Sequence, residues 1–309
     1  MSWQLKAMRV LLRHAVRHSL GRQRDSYAAR AWFERGAWLN ARGRPYRDFV
    51  PDSFALDGRE IPALWTARPA PDAPFLLYFH GGGYVMGNPR THAALGRYLS
   101  RKTGFQTCLP DYRLAPEHPF PAAFEDAVLV WRALAERGVA ADQIALGGDS
   151  AGGGLALALL AHLCATDAPR PRCVFTFSPF TDLTLSGESI TRNARSEILL
   201  PVRRLDQLKT RVLAGANPAD PRISPLFGQF HGAPPALIQV ARTEILLDDS
   251  RRMAEVLRRD GAEVTVQEWG NLPHVWQFFH GWLPEARTAL TDAASFINSQ
   301  FPPSLSSEN

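Results

Sequence analysis

The stretch Ile144-Ala145-Leu146-Gly147-Gly148-Asp149-Ser150-Ala151-Gly152-Gly153 decides how this chain reads. An apolar, strand-like run over Gln143–Gly147 leads into a serine set among small residues, and a helical run from Leu155 to Cys164 follows. A serine at such a strand-to-helix turn is pushed outward, with its hydroxyl exposed at the helix N-terminus. Gly148 and Gly152, two residues before and after it, permit the strained backbone and the close packing of helix on strand. The pentapeptide alone arises by chance in many chains. Here strand, turn and helix are all legible around it, which makes Ser150 a candidate nucleophile rather than a loop residue.

Upstream, His80-Gly81-Gly82-Gly83-Tyr84 follows Phe75-Leu76-Leu77-Tyr78-Phe79, a continuous apolar run of the kind found in a strand buried on both faces. Three glycines leave backbone N–H groups uncovered, able to point at a negative charge growing on a substrate oxygen. A glycine turn with no ligand is the plain alternative, and it loses weight beside the elbow. These two motifs, with Asp111-Tyr112-Arg113-Leu114-Ala115-Pro116-Glu117, Phe120-Pro121-Ala122, Ser224-Pro225-Leu226 and Pro234-Pro235-Ala236-Leu237-Ile238, resemble the hormone-sensitive-lipase family of α/β-hydrolases. The resemblance covers roughly residues 45 to 300. It implies an α/β-hydrolase fold with a helical cap and a serine carboxylesterase acting on short- to medium-chain esters. It also implies an oxyanion hole built from the N–H groups of Gly81, Gly82 and Ala151.

A serine nucleophile needs a base and an acid, and this fold places them in the chain order serine, acid, histidine. Of nine histidines, only His274 and His280 lie beyond the last plausible acid. His274 sits in the turn Gly270-Asn271-Leu272-Pro273-His274, just after the strand-like Glu263–Trp269, where a base belongs. His280 falls in the aromatic run Trp276–Trp282 and reads as a packed or solvated residue. The family's acid stands first in Asp-Pro-Leu-x-Asp. Aligned on Leu246 and Asp248, that position here is Glu244, with Ile245 in place of proline. Glutamate carries the same charge on one more methylene and can still orient an imidazole. Asp248 is the rival acid; its other role would be to cap the helix running to Asp260.

Strand-like and helical runs alternate along the chain. Asp52–Arg68 reads as an antiparallel pair around Asp57-Gly58. Phe75–His80, Phe105–Leu109, Gln143–Gly147, Cys173–Phe177, Ala236–Val240 and Val264–Trp269 read as strands. Helices are expected over Thr91–Lys102, Phe120–Arg137 and Pro284–Ser299. Such alternation predicts a mostly parallel central sheet with helices on both faces. The expected division is an N-terminal cap segment over 1–45, a catalytic domain over 46–300 with a second cap segment over 183–227, and a polar tail over 301–309.

The chain has 309 residues, 45% hydrophobic and 21% charged, enough for a full core. No run approaches the ~18 apolar residues of a membrane span. The net charge is +5, but Arg203-Arg204, Arg251-Arg252 and Arg258-Arg259 lie on separate helical stretches among acids, which argues against a nucleic-acid partner. The N-terminus is basic, with Lys6, Arg9, Arg13, Arg17, Arg22 and Arg24 and no acid, and Leu5, Met8, Leu12 and Val16 recur at helical spacing. A cap helix is favoured there over a transit peptide or a membrane-surface helix. Cys108, Cys164 and Cys173 are odd in number and lack paired spacing, which excludes a disulfide scaffold and a zinc site and fits a reducing cytoplasm. No metal or diffusible cofactor is implied. The expected partner is a small ester, or a lactone opened by the same residues, and a homodimer is left open. Tyr84, Trp276 and Phe278 flank the catalytic loops and are candidates to line the substrate pocket, with core packing the alternative for each. Tyr112 and Arg113 read as loop-fixing residues. A receptor on the same fold, without turnover, is the other functional class; the histidine at position 274 argues against it.

Overall fold

The computed structural model describes residues 2–17, 26–40, 47–70 and 73–301. Eight strands form one sheet: β1 (Val50–Leu56), β2 (Arg59–Trp65), β3 (Phe75–Phe79), β4 (Gln106–Pro110), β5 (Ile144–Asp149), β6 (Cys173–Phe177), β7 (Ala236–Ala241) and β8 (Val264–Trp269). Their order is β1-β2-β4-β3-β5-β6-β7-β8. The β1–β2 hairpin turns at Asp57-Gly58, both at positive φ, and β2 pairs antiparallel with β4. Every other pairing is parallel.

Alternate residues of the strands feed two cores. Leu77, Phe79, Leu146, Val174 and Ile238 pack under the helices Ala122–Glu136, Ser150–Ala165 and Leu247–Arg259. Leu76, Tyr78, Ala145, Phe175 and Leu237 pack under Pro89–Thr103 and Pro284–Gln300 on the other face. A strand covered on both sides gains from every side chain, about 1.5–3 kcal/mol for each large apolar one fully buried. That is why β3 reads as an unbroken apolar run.

Most elements fall within one or two residues of expectation. The helix that carries Ser150 is the exception: it begins at Ser150, not Leu155, and β5 runs on to Asp149. Glycines within both elements serve as clearances. A Cβ on Gly147 would lie 2.3 Å from the Phe175 ring, and one on Gly154 would lie 2.1 Å from the Phe180 carbonyl oxygen. The neighbouring strand's ring closes on β5 at the first, and the loop after β6 closes on the helix at the second.

The N-terminal segment forms helices Trp3–Leu11 and Ser26–Asn40, with a wider-wound turn over Leu12–Val16 after the first. Its arginines hold it to the body. Arg9 Nη1 donates to the Asn271 carbonyl at 2.7 Å, Arg13 to Arg195 at 2.7 Å and Arg17 to Ala194 at 2.8 Å. Arg22, Arg24, the Val16 side chain and residues 302–309 lie outside the described residues. Among the described residues, no helix is long and apolar enough to cross a membrane. Between Leu183 and Phe227 the chain makes short helices over Ser189–Arg192 and Leu205–Leu213 and leaves the sheet.

Candidate active site

The turn that carries Ser150 is strained: φ is +50°, in the left-handed region, at the first residue of its helix. For a non-glycine residue this conformation costs roughly 1–2 kcal/mol and persists only where its surroundings impose it. The surroundings here are tight. A Cβ on Gly152 would meet the Phe79 and His80 carbonyl oxygens at 2.1 and 2.4 Å, and one on Gly148 would meet the Gly152 carbonyl oxygen at 2.4 Å.

Ser150, Glu244 and His274 follow β5, β7 and β8, so all three stand at strand carboxyl ends, where open sheets of this kind leave a crevice. The Ser150 Oγ lies 2.9 Å from His274 Nε2, and His274 Nδ1 lies 2.6 Å from Glu244 Oε2. The other glutamate oxygen accepts the Ser178 hydroxyl at 2.8 Å and the Ala241 N–H at 2.7 Å. Those donors mark Glu244 as the acceptor, so Nδ1 carries the imidazole proton and Nε2 is left to accept from the serine. Burial opposes the charged form of His274. The hydrogen bond to Glu244 and its charge, with Glu197 and Asp149 beyond, outweigh that, and the imidazole is held above its ordinary value of 6.5.

Asp248, the rival acid, lies in the first turn of Leu247–Arg259, but its carboxylate does not cap that helix. It accepts the Ser189 N–H at 2.7 Å and pairs with Arg192 at 2.8 Å, tying the helix to the neighbouring short one. His280 packs against the Tyr98 ring at a tilt of 50°, with Nδ1 3.2 Å from the Gln277 carbonyl.

The three oxyanion donors are not equivalent. Gly81 donates its N–H to Asp149 Oδ1 at 3.1 Å, so that donor is already committed. Gly82 and Gly83 line the cavity beside Ser150, and Ala151 occupies the first turn of the nucleophile helix, where backbone N–H groups have no partner within the helix. Gly81 is set apart in this way from Gly82 and Ala151, the other two expected donors. The same Asp149 oxygen accepts the Tyr78 hydroxyl at 2.8 Å and lies 3.4 Å from His92 Nε2. Tyr112 donates its hydroxyl to the His80 carbonyl at 2.6 Å, and the Arg113 guanidinium is held by Asp126 at 2.7 Å, so both fix the loop.

Above Ser150 lies a cavity of about 710 Å³, walled chiefly by apolar side chains. Leu12, Trp32 and Phe33 come from the N-terminal helices, Leu200 and Leu208 from the 183–227 segment, and Phe278 from the turn after His274. Tyr84 and Trp276 take no part in this wall. Tyr84, at φ +61°, turns into the main core, and Trp276 is fully buried against Trp269 in a satellite core with Leu5 and Leu283. Sequence reasoning missed Ser178 and Asp149. Ser178 donates to Glu244 and accepts the Val275 N–H at 3.3 Å, bracing acid and base at once.

A parallel sheet carrying a strained serine, an imidazole and a buried carboxylate at its strand ends defines a hydrolase of the α/β-hydrolase fold. A family profile of that description matches residues 76–278. The acetyl-hydrolase of Streptomyces hygroscopicus is 40% identical over 248 residues, covering 80% of this chain and 83% of that one. An ethyl acetate hydrolase of Pseudomonas putida is 34% identical over 250 residues, covering 76% and 78%. The crystal structure of an esterase from the bacterial hormone-sensitive-lipase family superposes with a TM-score of 0.87 at 34% identity, over 98% of this chain and 99% of that one. The chain belongs to this hormone-sensitive-lipase family of α/β-hydrolases, and it is a carboxylic ester hydrolase.

Proposed function

We propose that the chain hydrolyses short- to medium-chain carboxylic esters through an acyl-enzyme on Ser150. The unbroken line of hydrogen bonds from Ser150 through His274 to Glu244 carries this reading. Ser150 Oγ gives its proton to His274 Nε2 and attacks the ester carbonyl carbon. Glu244 holds the imidazole and offsets the charge it gains. The oxyanion of the tetrahedral intermediate is received by the N–H groups of Gly82, Gly83 and Ala151. His274 then hands the proton to the leaving alcohol. Water repeats the cycle on the acyl-enzyme and frees the acid.

Residues 1–45 and 183–227 act as a cap over a catalytic domain spanning 46–300, with 301–309 as its tail. Phe278 contributes to the substrate wall. Relatives named for acetyl and ethyl acetate hydrolysis support a small acyl group, and the cavity leaves room for a longer chain or a bulky alcohol. Three free thiols, two of them buried, fit a reducing cytoplasm.

A panel of p-nitrophenyl esters from acetate to palmitate, with lactones alongside, tests the substrate range. The expected optimum of kcat/KM lies at short to medium acyl chains, falling at the longest; lactones turned over faster than every ester would replace the carboxylesterase reading with a lactonase. The pH profile gives a separate check. The base must be neutral to accept the serine proton, so activity is lost as pH falls through the His274 pKa. Because that value is raised, the acid limb of kcat/KM is expected above pH 6.5.

A further inference from the structure

A third buried carboxylate stands behind the site. Glu197 is 2% exposed, and among the described residues no arginine or lysine pairs with it. Its Oε1 accepts the N–H groups of Leu199 at 2.8 Å and Leu200 at 3.2 Å. Its Oε2 accepts the N–H of Ile245 at 3.3 Å, the residue directly after Glu244. The same stretch grips the acid's turn twice more. Asn193 Nδ2 donates to the carbonyls of Arg242 and Glu244 at 3.0 and 2.7 Å, and Ser196 Oγ donates to that of Thr243 at 3.2 Å. Leu199 and Leu200 form part of the cavity wall. One short stretch, 193–200, thus fastens the acid's turn to the surface that substrate would touch.

Both carboxylate oxygens accept backbone N–H groups; a glutamine would keep one acceptor for Leu199 and Leu200 but turn an NH2 donor toward the Ile245 N–H. The carboxylate that serves all three carries a desolvation cost. Burial pushes the Glu197 carboxyl up, the His274 imidazole draws it back down, and Glu244 adds to the upward push. The groups whose charge reaches His274 are Glu244, Glu197 and Asp149.

We propose that Glu197 is a positioning residue, which clamps the Glu244 turn to the cavity wall and sets a second negative charge behind His274. This rests on the Ser150–His274–Glu244 mechanism proposed above. The residue forms no bond to substrate and moves no proton. It acts by favouring the charged imidazole, as a neighbouring carboxylate does.

The test is Glu197→Gln, nearly isosteric and uncharged but with one acceptor fewer for the turn, compared with Asn193→Ala, which loosens the same turn and leaves the charge in place. Losing the charge lowers the His274 pKa, so activity survives to lower pH. The acid limb of kcat/KM is expected to move down by about 0.5–1 unit in Glu197→Gln. Because one pKa unit is a tenfold change in imidazolium stability, kcat on the plateau should fall about 3–10-fold, with KM little changed. Asn193→Ala should lower kcat with the limb where it was. NMR titration of the His274 ring in Ser150→Ala, with and without Glu197→Gln, reads the same shift without relying on turnover. A limb and an NMR pKa that do not move, with kcat falling only as Tm falls, would reduce Glu197 to a structural brace and overturn the proposal. If Ser150→Ala itself keeps its esterase activity, the underlying mechanism fails instead, and the two failures are told apart.

Discussion

Ser150→Ala is expected to lower kcat on p-nitrophenyl acetate by about 10⁴–10⁶-fold, and His274→Ala by a similar factor. The two losses should not multiply, because each removes the same step: a serine without its base is a weak nucleophile, and a base without its serine has nothing to activate. The double variant should therefore sit close to either single one. The residual rate would come from oxyanion donors and binding that both variants retain. Removing one hydroxyl should leave stability within about 0.5 kcal/mol, which thermal unfolding would verify. A fluorophosphonate probe labels the wild type and is expected to leave Ser150→Ala unlabelled. Near-wild-type hydrolysis by Ser150→Ala would remove the acyl-enzyme from the account.

Glu244→Ala is the second large effect, with an expected loss of about 10³–10⁴-fold in kcat. Its carboxylate receives the Nδ1 proton of His274 on one oxygen and the Ser178 hydroxyl and Ala241 N–H on the other. Removing it frees the imidazole to adopt the wrong tautomer and strands two buried donors. Asp248→Asn should stay within about threefold of wild-type kcat, because Asp248 faces Ser189 and Arg192. Its cost should appear in stability, at about 1 kcal/mol for a weakened hydrogen bond. The comparison is read from kcat and Tm of the two variants side by side. Loss of turnover in Asp248→Asn alone would move the acid to that residue.

The sheet was legible because its strands announce themselves. Cys173–Phe177 and Val264–Trp269 were placed to the residue, since each is a β-rich run closed by polar or turn residues. Ser150 and His274 were legible as site residues because each is framed by local signals: glycines around one, a post-strand turn before the other. What the sequence hid depends on contacts between distant segments. Nothing near Gly81 reveals that its N–H is taken by a carboxylate 68 positions later. Nothing near Glu197 reveals that it grips a turn 48 positions away. Tyr84 and Trp276 stood open between pocket lining and core packing, because flanking a motif does not fix direction. Tyr84, at a left-handed φ, is buried in the main core. The tight turn over Trp276–Phe279 points Trp276 at the core and leaves Phe278 at the cavity.

Asp149 immediately precedes Ser150, yet it reaches to the neighbouring strand's loop to hold the first of its glycines. The serine proposed to attack and the loop proposed to receive the charge are thereby anchored to one another at their roots. The walls above come from other parts of the chain altogether. Exchange of wall side chains such as Trp32 and Leu200 is expected to change which esters are admitted and to leave those roots as they are, whereas Phe278 packs on His92, which faces Asp149.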